Sequence, residues 1–250
     1  MWHLEITPPE MAQTLLTRHS GGQKFPECTT TVTLPESERK LEASRKKMLN
    51  EEDVVFLCLP DDAACEAALW VENPDTVVLD TSTAHRTAPG WCYGFPELSP
   101  VQEARLRQAK RIAVPGCHAS GFIALVYPLV SAGLLTPDAL LSCYSLTGYS
   151  GGGKKMIAEY RVPERSFLLN APRQYALGQT HKHLKEMKAV TGLANEPVFC
   201  PVVADFYSGM QVTVPLFASW LAPGAGMEDV KNAYRTLYTG PVVSYTDAAD

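Results

Sequence analysis

Two short apolar runs, each ending in polar residues, constrain the fold of this chain most strongly. Residues 54–59 lead into Pro60-Asp61-Asp62, and residues 76–79 lead into Asp80-Thr81-Ser82. Short continuous apolar runs are typical of strands buried on both faces. Residues 63–70, between the two runs, predict a helix capped by an aspartate. The order of strand, helix and strand predicts a βαβ unit, and therefore a parallel sheet.

The pattern changes near Cys117. A third strand, predicted at 111–114, leads into Pro115-Gly116-Cys117, and an apolar helix is predicted at 122–135. Beyond it the strand patterns are longer and predict an open sheet, antiparallel or mixed, followed by an amphipathic helix; these segments are 140–147, 197–205, 210–218 and 227–238. We therefore predict an α/β protein: a Rossmann-like parallel-sheet domain over residues 1–116 and an α+β domain over residues 117–250.

Composition excludes several classes of partner. The chain has 22 Lys and Arg against 27 Asp and Glu, a net charge of −5, with no strongly basic stretch, so nucleic-acid binding is disfavoured. The longest apolar run, residues 122–130, contains Pro128 and is too short for a bilayer span, so no membrane segment is expected. Seven cysteines, an odd number without a Cys-x-x-Cys pair or an export signal, predict reduced thiols in the cytoplasm and no metal site.

Ligands of an open parallel sheet bind beyond the carboxyl ends of its strands. Three polar segments occupy that position, at 60–62, 80–86 and 115–121, and we expect them to converge on one crevice. Cys117 lies after a Pro-Gly turn and before a helix, where backbone N–H groups and the helix dipole favour a thiolate nucleophile. A small residue tolerated at a tight turn is the alternative for this position.

Three further features are candidates for the same chemistry. The glycine-rich loop at 148–153 would let backbone amides approach a phosphate or cofactor, or would be a flexible surface loop. His181 and His183 form a His-x-His pair that can serve as general acid/base, bind a metal or lie on the surface. Arg86 follows a strand end and would bind an anionic substrate, or would pair with Asp80 or Glu97.

Five motifs in this order closely resemble the N-acetyl-γ-glutamyl-phosphate reductases of arginine biosynthesis, in their short bacterial form (type 2). The resemblance extends from about residue 50 to the end of the chain. The motifs are Leu79-Asp80-Thr81-Ser82-Thr83-Ala84-His85-Arg86, Tyr93-Gly94-Phe95-Pro96-Glu97-Leu98, Pro115-Gly116-Cys117, Gly148-Tyr149-Ser150-Gly151-Gly152-Gly153-Lys154-Lys155 and His181-Lys182-His183.

The resemblance implies an NADP-dependent reductive dephosphorylation of an acyl phosphate through a thioester on Cys117. It implies an acid/base role for His181 and His183, of which we favour His181 as the base. It also implies inorganic phosphate as a product and a homo-oligomeric assembly. The remaining implied site residues are Arg86 and Lys154 for the substrate and Ser82, Ser150, Gly151 and Gly152 for NADP(H).

Three features depart from the family pattern. Residues 5–16 contain no glycine where the family has a glycine-rich turn for the dinucleotide phosphates, and Pro8-Pro9 removes two backbone donors. The chain stops at Asp250, where family members continue, and His118 stands where relatives more often have an aromatic residue. The alternatives are a related reductase of the aspartate-semialdehyde dehydrogenase type, an inactive remnant without cofactor binding, and a thiol hydrolase that uses Cys117 and a histidine.

Overall fold

The computed structural model describes residues 34–38 and 40–247. The described chain divides between Pro115 and Gly116 into two compact units. The glycine-free segment 5–16, for which we predicted the loss of a phosphate-binding turn, lies outside the described residues.

The unit before Gly116 is built on a parallel sheet. Its strands lie in the order β1–β2–β4–β3, and each hydrogen-bonded pair of neighbours is parallel. This arrangement confirms the predicted parallel sheet, to which the short strand β3 adds a member that the sequence did not predict. The elements are α1 (Glu42–Glu51), β1 (Val54–Leu57), α2 (Asp61–Leu69), β2 (Val77–Asp80), β3 (Cys92–Tyr93), α3 (Pro100–Gln108) and β4 (Arg111–Ala113).

Helices cover only one face of strand β1 in the described chain. Val55 and Leu57 are buried in a core with Ala67 of α2, whereas Val54 and Phe56 are 48% and 67% exposed. The prediction of a strand buried on both faces is therefore wrong for β1. The predicted aspartate cap is also wrong, because α2 begins at Asp61 itself with Pro60 at the N-cap.

The unit from Gly116 onwards contains a mixed sheet. The strand order is β6–β7–β5–β8, in which β5 and β7 are parallel and the two outer pairs are antiparallel. The strand predicted at 210–218 ends at Thr213, shortly before Pro215, which has no N–H to donate to a ladder. The elements are α4 (Cys117–Ser131), β5 (Ser142–Gly148), α5 (Gly153–Arg161), β6 (Arg173–Gln174), α6 (Leu184–Thr191), β7 (Val198–Ala204), β8 (Met210–Thr213) and α7 (Met227–Leu237).

Helix α4 begins at Cys117, earlier than the predicted start at residue 122, and it contains Pro128. A proline inside a helix leaves the carbonyl four residues before it without its usual donor. Here the Tyr238 hydroxyl donates to that carbonyl, on Ala124, at 2.9 Å, and the Tyr234 hydroxyl donates to the next carbonyl, on Leu125. Helix α7 thereby compensates for the proline. Among the helices that the structure describes, none is long and apolar enough to cross a membrane.

Gly148, the last residue of β5, is closely packed against backbone atoms. A Cβ at this position would lie 2.7 Å from the backbone carbonyl oxygens of Phe206 and Tyr207, which accept the N–H groups of Tyr149 and Ser150. We expect Gly148→Ala to lower the free energy of unfolding by about 1–3 kcal/mol in urea denaturation, because backbone must move.

Gly151→Ala is the matched control for this substitution. Its Cβ would meet only the Thr147 hydroxyl at 3.5 Å, an ordinary contact. We expect it to change the free energy of unfolding by less than about 0.5 kcal/mol. Equal losses in both variants would contradict the packing argument.

Candidate active site

Cys117 is the first residue of α4, and its side chain is exposed. The N-cap residue Gly116 offers no side chain to the first turn. The N–H groups of a first helical turn have no partners within the helix, and the helix dipole adds positive potential there. This position therefore favours an anionic sulfur, as the sequence predicted.

A buried carboxylate fixes the turn that precedes Cys117. Glu186 on α6 is 1% exposed, and its Oε2 accepts the Gly116 N–H at 3.2 Å. Its Oε1 lies 3.9 Å from His183 Nε2. Glu186 was not among the predicted site residues, although its place three residues after His183 puts both side chains on one side of a helical turn.

Three imidazole rings cluster in the same unit. The ring centroids of His181 and His183 are 4.6 Å apart. The ring centroid of His118 lies 5.7 Å from that of His181 and 5.6 Å from that of His183. Phe199 packs edge-on against His118 and His181 at 5.2 Å and 5.1 Å. The structure thus brings the predicted His-x-His pair to the residue next to Cys117.

His118 is buried, and both of its ring nitrogens have oxygen partners. Nδ1 lies 2.7 Å from the Ser145 hydroxyl, and Nε2 lies 2.7 Å from the Tyr175 hydroxyl. Burial, reinforced by the nearby His181, lowers the pKa of His118 to about 4. The ring is therefore neutral near pH 7, with one nitrogen as donor and the other as acceptor.

His181 and His183 have different surroundings. His181 is partly exposed, and its Nδ1 accepts the His183 N–H at 3.2 Å, which places the ring proton of neutral His181 on Nε2. Burial and the Lys182 charge hold the pKa of His181 below its usual value. His183 is 6% exposed and lies next to the Glu186 carboxylate.

The predicted glycine-rich loop is a short 3-10 turn that leads into α5. The turn comprises Tyr149–Gly152, and the Ser150 N–H is bound by the Tyr207 carbonyl at 2.9 Å. Gly151, Gly152 and Lys154 are exposed. The two glycines leave exposed backbone at the start of a helix, where close approach of a ligand is sterically possible.

In the unit before Gly116, two of the three predicted segments, 60–62 and 80–86, are in contact. The Asp61 carboxylate after β1 accepts the N–H and hydroxyl of Thr83 after β2, at 2.9 Å and 2.5 Å. Buried Asp80 binds the Ser82 hydroxyl and His85 Nδ1, both at 2.6 Å. The Ser82 hydroxyl is thus committed to Asp80.

Arg86 spans two strand ends. Its Nε donates to the carbonyl of Val114, after β4, at 2.9 Å, and one terminal nitrogen donates to that of Thr81 at 3.2 Å. Asp80, one of its two alternative partners, is bound by Ser82 and His85. Arg86 therefore braces the edge of the sheet, and its role in substrate binding stays a prediction.

The sequence predicted Cys117 and the two histidines as site residues, but it did not predict the residues in contact with the histidine cluster and the Cys117 turn. Ser145 could have been found from strand alternation, since Cys143, Ser145 and Thr147 share the buried face of β5. Tyr175 lies in an irregular segment and gave no signal. Within the described ranges, the structure contains no cluster of three residues suited to a metal ion.

The buried His118 predicts a pH dependence of stability. Its pKa is lower in the folded chain than in the unfolded chain, so the unfolded chain binds the extra proton below pH 6.5. The contribution of neutral His118 to the free energy of unfolding is therefore fully present above pH 6.5. It is lost as the pH falls toward 4, by at most about 3 kcal/mol. Urea denaturation at pH 7 and pH 4.5 measures this loss. The loss should be smaller in His118→Phe, and equal losses in both chains would contradict it.

Two family models match the chain. Residues 3–106 match the NAD-binding domain of semialdehyde dehydrogenases, and residues 117–249 match their dimerisation domain. The first match includes residues 5–16, the segment that lacks glycine. These matches confirm the predicted fold class, the oxidoreductase class and a nicotinamide dinucleotide as cofactor.

Curated relatives give a finer assignment. The N-acetyl-γ-glutamyl-phosphate reductase of Rhizobium meliloti (strain 1021) is 43% identical over 84% of this chain and 68% of the relative. The corresponding enzyme of Rhizobium etli (strain CIAT 652) is 41% identical over 88% and 72%. N-acetyl-γ-glutamyl-phosphate reductase 2 of Pseudomonas putida (strain KT2440) is 40% identical over 84% and 66%.

Solved structures agree in fold. Aspartate semialdehyde dehydrogenase with NADP from Candida albicans has a TM-score of 0.54 at 20% identity, over 88% of this chain and 71% of that one. Aspartate semialdehyde dehydrogenase II of Vibrio cholerae has a TM-score of 0.54 at 16% identity, over 76% and 62%. At such identities the likeness establishes the fold alone. Because the sequence relatives are 40–43% identical, this chain belongs to the N-acetyl-γ-glutamyl-phosphate reductase family.

Proposed function

We propose that this chain catalyses the NADP-dependent reductive dephosphorylation of N-acetyl-γ-glutamyl phosphate to N-acetylglutamate semialdehyde and inorganic phosphate. The observation that carries the proposal is the placement of Cys117 at the first position of α4, next to three clustered histidines. The names of the relatives support the choice of this substrate over aspartyl phosphate, because the aspartate semialdehyde dehydrogenases match at only 13–20% identity.

The Cys117 sulfur attacks the acyl carbon of the substrate. A bond forms between Sγ and carbon, the carbonyl electron pair moves to oxygen, and the carbon–oxygen bond to phosphate breaks as the carbonyl forms again. Phosphate leaves with the bonding electron pair, and a thioester remains on Cys117. The helix start stabilises the sulfur anion before the attack.

His181 is the proposed base for the Cys117 thiol. A base must be unprotonated at the working pH, and burial with the Lys182 charge keeps the pKa of His181 below the usual value. His183 then acts as a positioning residue, because its backbone N–H donates to His181 Nδ1. The ring of His183 lies next to the Glu186 carboxylate. The environment of His183 also permits the opposite assignment, which the variants below distinguish.

Arg86 and Lys154 are the proposed cations for the acyl phosphate. Lys154 is exposed in the first turn of α5, where the helix dipole also favours an anion. Arg86 has guanidinium hydrogen bonds to the carbonyls of Thr81 and Val114. Bonds to backbone fix the direction of the guanidinium, and a guanidinium binds a phosphate or carboxylate through charge-assisted hydrogen bonds.

Residues in each of the two units are the proposed contacts of NADP(H). Polar groups stand side by side where β1 and β2 end, and a Cβ on Gly151 would find only an ordinary contact at 3.5 Å, so its backbone is approachable. Ser82 with its neighbouring turn would hold the adenosine end of NADP(H), and Ser150, Gly151 and Gly152 the nicotinamide end. The Ser82 hydroxyl is bound to Asp80, so we assign its contact to the backbone. NADPH, when bound, supplies the hydride that reduces the thioester to the aldehyde level.

We further propose a cytoplasmic homo-oligomer. The match to a dimerisation domain supports the assembly. The six described cysteines are free thiols, which supports a reducing compartment.

Cys117→Ser is the first test of the proposal. The serine hydroxyl is a far weaker nucleophile than a thiolate, so NADP⁺ reduction with N-acetylglutamate semialdehyde and phosphate should fall by at least about 10³-fold. Cys65→Ser, at another exposed cysteine, is the matched control and should retain activity. Turnover in Cys117→Ser within about 10-fold of the parent chain would exclude Cys117 as nucleophile.

His181→Asn and His183→Asn test the base. We expect His181→Asn to lower kcat/KM by about 10²–10⁴-fold, the usual contribution of a general base, and His183→Asn to cost less. A larger loss in His183→Asn would reverse the two assignments. Thioester hydrolysis without reduction would indicate a thiol hydrolase, and a folded chain without NADPH binding would indicate an inactive remnant.

The pH profile of kcat/KM follows from the same assignment. Burial and Lys182 favour neutral His181, so the base stays unprotonated to lower pH than a free histidine. We expect the acid limb of the profile to have its midpoint below pH 6.5 and to vanish in His181→Asn. A midpoint above pH 7 in the parent chain would contradict the role of His181.

A further inference from the structure

Ser145, His118 and Tyr175 form a hydrogen-bonded series of side chains at the active site. None of the three has a role in the proposed reaction. Ser145 on β5 is fully buried, His118 is 4% exposed, and Tyr175 is partly exposed. The two contacts, Ser145 Oγ to His118 Nδ1 and His118 Nε2 to the Tyr175 hydroxyl, are both 2.7 Å. Tyr175 also lines an open cavity of about 390 Å³, together with Lys155, Glu159 and Arg173.

The burial of Ser145 sets the direction of these bonds. A buried hydroxyl needs an acceptor for its proton. In the part of the chain that the structure describes, the Ser145 side chain has a single hydrogen-bond partner, Nδ1 of His118. Ser145 is therefore the donor and Nδ1 the acceptor.

The proton of the neutral imidazole must then reside on Nε2. Nε2–H donates to the Tyr175 oxygen, so Tyr175 accepts this bond and keeps its own proton for another partner. Among residues 34–38 and 40–247, the Tyr175 hydroxyl has no second hydrogen bond. These two hydrogen bonds thus leave the Tyr175 O–H group oriented and able to donate to a further acceptor.

The Tyr175 ring lies 6.2 Å, between ring centroids, from the ring of His181, the proposed base for Cys117. Burial, with a further contribution from the charge of Cys117, raises the pKa of Tyr175 to about 12. The phenol therefore remains protonated throughout the working range of pH. A protonated, oriented donor is what an oxyanion requires.

We propose that the Tyr175 hydroxyl donates a hydrogen bond to the oxyanion that forms when Cys117 adds to an acyl carbonyl, and that His118 and Ser145 are the positioning residues for this donor. The proposal rests on the nucleophilic role of Cys117 but on no step that involves NADPH. As the Cys117 sulfur bonds to the acyl carbon, the carbonyl π electrons move to oxygen, where Tyr175 stabilises the charge. The charge returns to the carbonyl as the leaving group departs with its bonding electrons.

Acylation by p-nitrophenyl acetate tests the proposal without cofactor or natural substrate. Cys117 displaces p-nitrophenolate through the same type of oxyanion, and the first turnover appears as a burst in stopped-flow absorbance. We expect Tyr175→Phe to slow this burst about 100-fold with little change in its concentration dependence, as for the loss of one oxyanion donor. Peptide mass spectrometry locates the acetyl group on Cys117.

Ser145→Ala tests the direction of the hydrogen bonds. Without the serine donor, His118 is free to carry its proton on Nδ1, and Tyr175 then turns its own proton toward Nε2. We expect the burst to slow about 10-fold, equivalent to one ordinary hydrogen bond. Ser145→Thr, which keeps the hydroxyl, should restore it to within about 3-fold. Tyr144→Phe, on the exposed face of the same strand, is the matched control and should leave it unchanged.

Each outcome decides the proposal. A Tyr175→Phe burst within about 3-fold of the parent chain overturns the donor role. Equal rates in Ser145→Ala and Ser145→Thr overturn the positioning role of the Ser145 hydroxyl. Absence of any Cys117-dependent burst overturns the whole inference. A normal burst in a chain that fails to reduce N-acetyl-γ-glutamyl phosphate refutes the proposed function and leaves the Tyr175 assignment intact.

Discussion

The contact between the buried Glu186 carboxylate and the Gly116 N–H is the constraint on which the candidate active site depends. A buried carboxylate is costly unless hydrogen bonds and positive potential compensate for it. Glu186 gains both, because it lies in the first turn of α6 and accepts the N–H of the residue that caps α4. This contact ties the start of α4, and with it Cys117, to the helix that follows the His-x-His pair. Nucleophile and histidines therefore keep a fixed relation within one unit of the chain.

The three histidines share a cluster but not a protonation environment. His118 is buried with a donor on one nitrogen and an acceptor on the other, so it is neutral and immobile. His181 is partly exposed with only Nδ1 held by backbone, which leaves Nε2 for chemistry. His183 lies between His181 and the Glu186 carboxylate. Differences in burial and hydrogen bonding thus make His118 a candidate positioning residue, and His181 and His183 candidate acid/base residues.

The unit before Gly116 illustrates a different use of polar groups. Asp61 and Arg86 each bind groups from another strand end, and Asp80 binds the Ser82 hydroxyl in the turn after its own strand, so hydrogen bonds link the turns beyond β1, β2 and β4. A rigid rim is what a binding edge of a parallel sheet requires, since a ligand there contacts several loops at once. The polar residues that the sequence marked as binding candidates are therefore also the residues that hold this edge together.

The sequence by itself determined the family and the parallel sheet of the first unit, because these depend on local patterns and ordered motifs, and the same motifs predict Cys117, His181 and His183 as site residues. It did not determine that α4 starts at Cys117 or that the second sheet is mixed, since helix starts and strand partners depend on contacts far apart in the chain. The roles of Glu186, Ser145 and Tyr175 were also decided only by tertiary structure. Each gains its meaning from a hydrogen bond to a residue at least 27 positions away. Sequence periodicity predicts which face of a helix or strand is buried. It does not predict which residue forms the hydrogen bond to a buried polar group, because that partner lies far away in the sequence.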